Sequence, residues 1–271
     1  MPELPEVETT RRGLEPHLTS WRIDNIIVRD RRLRWPIADG LEKQATGSII
    51  RNVSRRGKYL LIECARGWLI LHLGMSGRLR VLPASTPPGK HDHFDLVLSS
   101  GKMVRFTDPR RFGALLWTDE DPSGHALLRN LAPEPLDSSF DASWLHARTR
   151  SRSISIKLAL MNNEIVTGVG NIYANEALFR AGINPRTKAG RLSMQRCEKL
   201  VLAVKETLLD AIAAGGSSLR DFLGTDGSPG YFQQQYMVYA RQGEPCRICD
   251  APIRSVRLGQ RTTFYCTRCQ H

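Results

Sequence analysis

Four groups of residues have types and spacings that can do chemistry, and the first stands at the start of the chain, in MPELPEVETT. With Met1 removed, Pro2 would present a secondary α-amine with no flexible stem to order. Such amines titrate near 8, against about 10.4 for lysine, so an appreciable fraction is neutral and nucleophilic at neutral pH. Condensation with the C1′ carbon of a sugar would leave a charged iminium, which acidifies the C2′ proton and permits elimination of the phosphate. One nucleophile could then serve both release of a base and scission of a strand. Glu3 and Glu6 lie beside it: one carboxyl could protonate the opening sugar ring, the other stabilise positive charge near the amine. Alone the pattern is weak, since many chains begin Met-Pro and acids at a helix start also serve the macrodipole.

The second group is C-x2-C-x16-C-x2-C, formed by Cys246, Cys249, Cys266 and Cys269. Two thiolate knuckles at the ends of a β-hairpin can converge on one tetrahedral Zn²⁺. Four sulfur ligands leave no open position, which makes the metal structural. Arg247, Arg254, Arg257, Arg261 and Arg268 surround the cysteines, so the hairpin would present several cations to a polyanion. Cys64 and Cys197 stand apart and read as inert buried thiols in a reducing cytosol.

Third, GVGNIYANEALF places a glycine-bearing turn before Asn171 and a helix start. Turn amides and an Asn side chain can grip a phosphate, with Lys157 on the preceding helix as a further candidate; the pattern equally suits an ordinary helix–turn–helix connection. Fourth, LHLGMSG and TDPRRFG, both at strand ends, supply Met75, Arg110 and Phe112, an apolar and cationic set that could fill the gap left by an extruded nucleotide. Read singly, each could as well be packing. His91, Asp92 and His93 look like a metal cluster, but they alternate along a strand and have no fourth partner, so no metal is assigned to them.

These groups need elements to hold them. From about Ile23 to Trp117 the chain reads as strands, IDNIIV, YLLIEC, GWLILHL, GRLRVL, FDLVLSS and KMVRFT, separated by turns such as TPPGK, which is the pattern of an antiparallel sandwich or barrel. The preceding charged segment can form a helix. LAPEPLDSSF is proline-rich and polar; beyond it apolar spacing turns helical, in SISIKLALMNNE and SMQRCEKLVLAVKETLLDAIAAG. Residues 215–233, rich in Gly and Ser, read as a mobile loop. No internal repeat is evident.

The net charge of +12 favours a polyanionic partner, nucleic acid ahead of an anionic membrane, without deciding function. No stretch approaches the roughly 20 apolar residues that span a bilayer, and the first eight residues carry three acids, so neither secretion nor membrane insertion is expected.

Taken together, MPELPEVET, RRGKYLL around Lys58, LHLGMSG, TDPRRFG, GVGNIYANE and the terminal FYCTRCQ closely resemble the bacterial formamidopyrimidine-DNA glycosylases, from end to end of the chain. Six separated motifs in order are far more specific than any one of them. The resemblance implies a glycosylase and abasic-site lyase for oxidised purines, 8-oxoguanine opposite cytosine and formamidopyrimidines, acting on damaged duplex DNA by β,δ-elimination. It casts Pro2 as nucleophile, Glu3 as acid/base residue with Glu6 in support, and Lys58 as a DNA contact that aids the chemistry. Met75, Arg110 and Phe112 become the intercalating set, Arg110 facing the orphaned cytosine. Asn171, Arg261, His72 and Lys157 would bind phosphates, His93 joins the DNA-binding set, and Ser217 would touch the flipped base in the loop that closes over it. The related endonuclease VIII branch, which favours pyrimidines, shares the Pro-Glu start and zinc finger; PELPEV and the DPRRFG arginine favour the purine branch. The usual acid after LM is Asn162 here, read as a tolerated change in a helix turn.

The expected architecture is α+β: an N-terminal antiparallel β-sandwich over residues 1–133, a helix-two-turn-helix domain over 134–240 and a zinc-finger hairpin over 241–271, with DNA in a basic cleft. The protein is expected to be a cytoplasmic monomer holding one structural zinc. The rival from another class is a non-catalytic zinc protein that binds lesions, which Pro2, Glu3 and Lys58 argue against.

Overall fold

The computed structural model describes residues 2–217 and 231–271. The part of the expected loop from 218 to 230 lies outside the described residues. The chain forms two compact units, one from residues 1–129 with 214–231, the other from 130–213 with 232–271.

The first unit opens with helix α1 (Leu4–Leu18). Glu3 and Glu6 form a reciprocal capping box and Pro5 sits in the first turn, so the helix start is fixed two residues after Pro2. Leu4, Val7, Leu14 and Leu18 recur at helical spacing and are buried. Eight antiparallel strands follow: β1 (Ile23–Val28), then, after the short helix α2 (Leu41–Ala45), β2 (Ile50–Arg56), β3 (Tyr59–Cys64), β4 (Gly67–His72), β5 (Arg78–Pro83), β6 (Asp92–Leu98), β7 (Lys102–Thr107) and β8 (Ala114–Thr118). They make two four-stranded sheets, in the orders β1-β6-β7-β5 and β2-β3-β4-β8. One core takes Ile26, Leu79, Leu96 and Val104 from the first sheet, Val53, Ile62, Leu69 and Leu115 from the second, and Leu14 from α1. That shared core makes the sandwich.

Two strands were not visible in the sequence. In β2, IRNVSRR, only Ile50 and Val53 are buried, and an irregularity between Ile50 and Asn52 breaks the alternation that would have marked a strand. In β8, ALLWT, five residues are too few to show a period.

The second unit contains α3 (Ala142–Thr149), α4 (Ile156–Leu160), α5 (Asn171–Arg180) and α6 (Met194–Ala213), then the hairpin β9 (Arg254–Leu258) and β10 (Arg261–Tyr265). The helix expected over SISIKLALMNNE is confined to the five residues of α4. Its flanks are held elsewhere. The Ile156 N–H donates to the Thr187 carbonyl (2.7 Å), and beyond the helix the Glu164 N–H donates to Oδ1 of Asn162 (2.9 Å), a side-chain turn that competes with helix. Asn162 thus supplies the same acceptor an acid would. Among the described residues no helix is long and apolar enough to cross a membrane.

Candidate functional site

The capping box that starts α1 also organises the N-terminal site. Glu3 and Glu6 are both buried, and one oxygen of Glu6 accepts the backbone N–H of Glu3 at 2.8 Å. The other accepts the N–H of Ser217, also at 2.8 Å. Ser217 follows α6 in sequence yet belongs with the sandwich unit, so the base of the 215–233 loop is tied to the residue that holds Glu3. Pro2, Glu3, Glu6 and Ser217 are therefore brought together.

Lys58 lies in the turn after Gly57, whose positive φ (57°) suits a tight β2–β3 hairpin. The next residue, Tyr59, pairs with His72 across β3–β4, and their rings lie 4.8 Å apart. Burial, followed by the neighbouring cations Lys58 and Arg34, pushes the His72 pKa down to about 4. His72 is neutral at pH 7. Its Nδ1 accepts the Gly74 N–H (3.0 Å), which leaves the ring proton on Nε2, so it can meet a phosphate only as a neutral donor.

Arg34 is a cation that the sequence reading missed. In the run RDRRLR, Arg29 pairs with Asp95, Arg31 with Asp39 and Glu42, and Arg32 with Asp30. Arg34 has no carboxylate partner among the described residues; its guanidinium lies 4.8 Å over the Trp35 ring, and its backbone N–H donates to Gly113 (3.1 Å). Gly113 immediately precedes Ala114, the strand partner of His72, which puts Arg34 on the same rim as His72 and Lys58.

The LHLGMSG and TDPRRFG loops meet. Gly74 has a positive φ (65°), and a Cβ there would stand 2.3 Å from the Phe112 backbone, so only glycine permits the approach. Asp108 is fully buried and joins the loops: its carboxylate accepts the Ser76 hydroxyl (2.6 Å) and the N–H groups of Arg110 (3.2 Å) and Gly113 (2.9 Å). Phe112 is exposed, and the Arg110 guanidinium lies 5.0 Å from the centre of its ring. Met75, Arg110 and Phe112 thus stand on two loops that one buried carboxylate joins.

Two expectations need correction. His93 was placed among the DNA contacts, but it is buried and its Nε2 donates to the Asp108 carbonyl at 2.7 Å, a structural bond that withholds it from the surface. Its neighbour Asp92 accepts from Thr107 and from the Gly89 N–H (2.7 Å) and faces Arg105 at 3.5 Å. Lys157 is likewise fully buried, and its ammonium donates to Oγ1 of Thr263 (2.7 Å) and the carbonyl of Thr262 (3.2 Å). It braces the hairpin rather than presenting a charge to solvent.

That brace forms part of a second site. Asn171 opens α5 behind the N-cap Gly170, and its Nδ2 donates to the same Thr262 carbonyl at 3.2 Å. Asn175, one turn on, accepts the Phe264 N–H at 2.7 Å. α5 is thereby docked on β10, whose first residue is Arg261, exposed and without a carboxylate partner among the described residues. Asn171 and Arg261 come together around Thr262. Glu176 fixes the approach to the hairpin: its carboxylate accepts the N–H groups of Met237, Val238 and Tyr239 at 2.8, 3.0 and 2.8 Å.

Cys246, Cys249, Cys266 and Cys269 bring their sulfur atoms within 4.8 Å of one another. The Cys246–Cys269 and Cys249–Cys266 separations are 3.8 and 3.4 Å, against about 3.8 Å for the edge of a tetrahedron with Zn–S bonds of ~2.3 Å. The donor set fits zinc and closes its coordination. Cys64 and Cys197 are buried away from it; burial pushes the Cys64 thiol up to about 12, which makes it inert.

Three family models match in chain order: the formamidopyrimidine-DNA glycosylase N-terminal domain over residues 1–115, the formamidopyrimidine-DNA glycosylase H2TH domain over 131–223, and the zinc finger found in FPG and IleRS over 243–271. The formamidopyrimidine-DNA glycosylase of Cupriavidus pinatubonensis is 57% identical over the full length of both chains. The crystal structure of the MutM (Fpg) protein from Thermus thermophilus superposes with a TM-score of 0.89 at 38% identity, covering 99% of this chain and 98% of that one. A complex between a Lactococcus lactis FPG mutant and a Fapy-dG containing DNA gives 0.92 at 34% identity, with all of both chains covered. A β-sandwich that starts with a capped Pro-Glu segment, helices docked on a four-cysteine hairpin, and full-length relatives of one name agree: the chain belongs to the formamidopyrimidine-DNA glycosylase family.

Proposed function

We propose that the protein excises oxidised purines, 8-oxoguanine and formamidopyrimidines, from duplex DNA and then cleaves the abasic site. The Pro2 amine, freed by removal of Met1, attacks C1′ as the N-glycosidic bond breaks and the base leaves with a proton. The C1′–O4′ bond then opens as O4′ takes up a proton, leaving an iminium that acidifies C2′; loss of the C2′ proton expels the phosphate on C3′, and a second elimination expels the phosphate on C5′. Hydrolysis then returns the amine. Glu3 transfers the protons at the sugar, Glu6 holds the Glu3 backbone in place, and Lys58 contacts the DNA beside the lesion.

Met75, Arg110 and Phe112 enter the stack as the damaged nucleotide leaves it, with the Arg110 guanidinium toward the acceptor edge of the unpaired cytosine. Asn171, Arg261 and neutral His72 bind phosphates, joined by Arg34; Ser217 lies at the base of the segment that covers the base. We assign catalysis to residues 1–133, helical DNA binding to 134–240 and the zinc hairpin to 241–271, and take the protein to act as a cytoplasmic monomer.

The observation that carries this reading is the convergence of Glu3, Glu6 and Ser217 at the start of α1, directly after Pro2. Borohydride trapping on a duplex with 8-oxoguanine opposite cytosine tests it, comparing the native chain, Pro2→Gly and a form retaining Met1. A covalent adduct at residue 2 of the native chain alone is expected. Tight binding with neither adduct nor cleavage would assign the protein to non-catalytic lesion recognition instead.

A further inference from the structure

We infer that Asp108 and Ser76 are a positioning pair that locks the two wedge loops together, so that Met75 enters the duplex in concert with Arg110 and Phe112. The inference rests on the wedge reading above and adds to it the residues that give the wedge its stiffness.

Asp108 is a fully buried carboxylate with no cationic partner among the described residues. Burying such a charge is costly unless hydrogen bonds replace its water, and here three do: the Ser76 hydroxyl, the Arg110 N–H and the Gly113 N–H. Its backbone is held as well, the carbonyl by His93 Nε2 (2.7 Å) and the N–H by the His91 carbonyl (3.0 Å). The Ser76 oxygen also accepts the Arg110 N–H at 3.3 Å. An asparagine has the same shape, but it would turn an NH₂ group toward one of these donors. The pattern therefore requires the carboxylate.

The consequence lies in which residues are held. Met75 is flanked by Gly74, pressed on the Phe112 backbone, and by Ser76, bonded to Asp108. Arg110 is held by its own N–H, and Phe112 by that of the following Gly113. All three wedge side chains thus project from backbone tied to one carboxylate. A wedge must unstack bases at a cost of a few kcal/mol per step, and a loop softer than the stack would yield first.

The test compares wild type, Ser76→Ala, Ser76→Thr, Asp108→Asn and Phe112→Ala under single-turnover conditions. One substrate carries 8-oxoguanine opposite cytosine, with 2-aminopurine beside it to report unstacking; the other carries a preformed abasic site, which needs no base extruded. Ser76→Ala and Asp108→Asn are expected to slow unstacking and excision roughly tenfold or more, as befits a lost buried hydrogen bond, while abasic-site cleavage stays within about twofold. Ser76→Thr, which keeps the hydroxyl, should restore most of the loss. Equal losses on both substrates, or none on either, would overturn the proposal. If Phe112→Ala changes neither unstacking nor excision, the wedge reading itself fails; if it changes both while the other variants do not, only the positioning role fails. Should Asp108→Asn not fold, Ser76→Ala, which deletes one hydroxyl, decides alone.

Discussion

Glu6 and Ser217 stand 211 positions apart in the chain and are joined by a hydrogen bond of 2.8 Å from the Ser217 N–H to Oε1 of Glu6. The second oxygen of the same carboxylate holds the Glu3 N–H at 2.8 Å. One side chain therefore links Glu3, the proposed acid/base residue, to the segment proposed to cover the lesion. Replacing Glu6 by Gln keeps the size but turns an NH₂ toward one of the two N–H donors. Losing one such charge-assisted bond while leaving its donor buried should cost about 2 kcal/mol, a fall of roughly thirtyfold in single-turnover excision. Hydrogen exchange at the Ser217 amide should accelerate in parallel. Unchanged rates for both would separate Glu6 from the chemistry.

His72 supplies a prediction in pH. Its folded pKa of about 4 lies below its ordinary 6.5, through burial first and then through Lys58 and Arg34. Between those values the unfolded chain binds the proton and the folded one does not. The stabilising contribution is therefore complete above pH 6.5 and is lost as the pH falls toward 4. A His72→Gln variant, which keeps a neutral donor, should show a flatter decline of unfolding free energy across that window, measured by urea denaturation, and DNA affinity near the native value at pH 7. If the two decline in parallel, His72 carries no such linkage.

Much of this was legible from local pattern. Strands such as β3 and β4 are nearly continuous apolar runs, and the zinc quartet declares itself because its ligands come in close pairs that need no knowledge of the fold. Exposure of polar groups was not legible. Lys157 is buried because Thr262 and Thr263, 105 and 106 positions away, receive its ammonium, and His93 is withheld by the carbonyl of Asp108. In RDRRLR all four arginines look alike; which one stays without a carboxylate depends on where Asp30, Asp39, Glu42 and Asp95 fall in space. The role of Asp108 was hidden for the same reason, since its partner Ser76 lies on another loop.

Arg34 gives a prediction in salt. Each phosphate neutralised by a protein cation contributes about 0.9 to the slope of log K against log salt for duplex DNA. Arg34→Ala should lower the magnitude of that slope by roughly 0.9 in a titration of binding to undamaged duplex, and Arg34→Lys should largely preserve it. Arg32, already paired with Asp30 at 2.9 Å, is the control, and its alanine variant should leave the slope nearly unchanged. Equal effects from both positions would mean that only general surface charge is being read.

The zinc site makes a prediction that divides binding from chemistry. Four thiolates close the coordination sphere, so the metal has no position at which to activate water, and its loss should act through the hairpin. Without it Cys246 and Cys266, buried in the hairpin core with Ile253 and Val238, lose the centre that draws the two knuckles together. Arg261 and the Thr262 carbonyl that Asn171 and Lys157 share would then lose their fixed positions. Metal analysis should find one zinc per chain in the native protein. Chelation, or Cys249→Ser, should weaken DNA binding by at least tenfold while borohydride trapping at Pro2 on a small aldehyde sugar, which needs no phosphate grip, continues at the native rate. Metal-free protein with native DNA affinity would show that the hairpin holds its shape unaided; parallel loss of trapping on the small sugar would show that the metal supports the nucleophile as well.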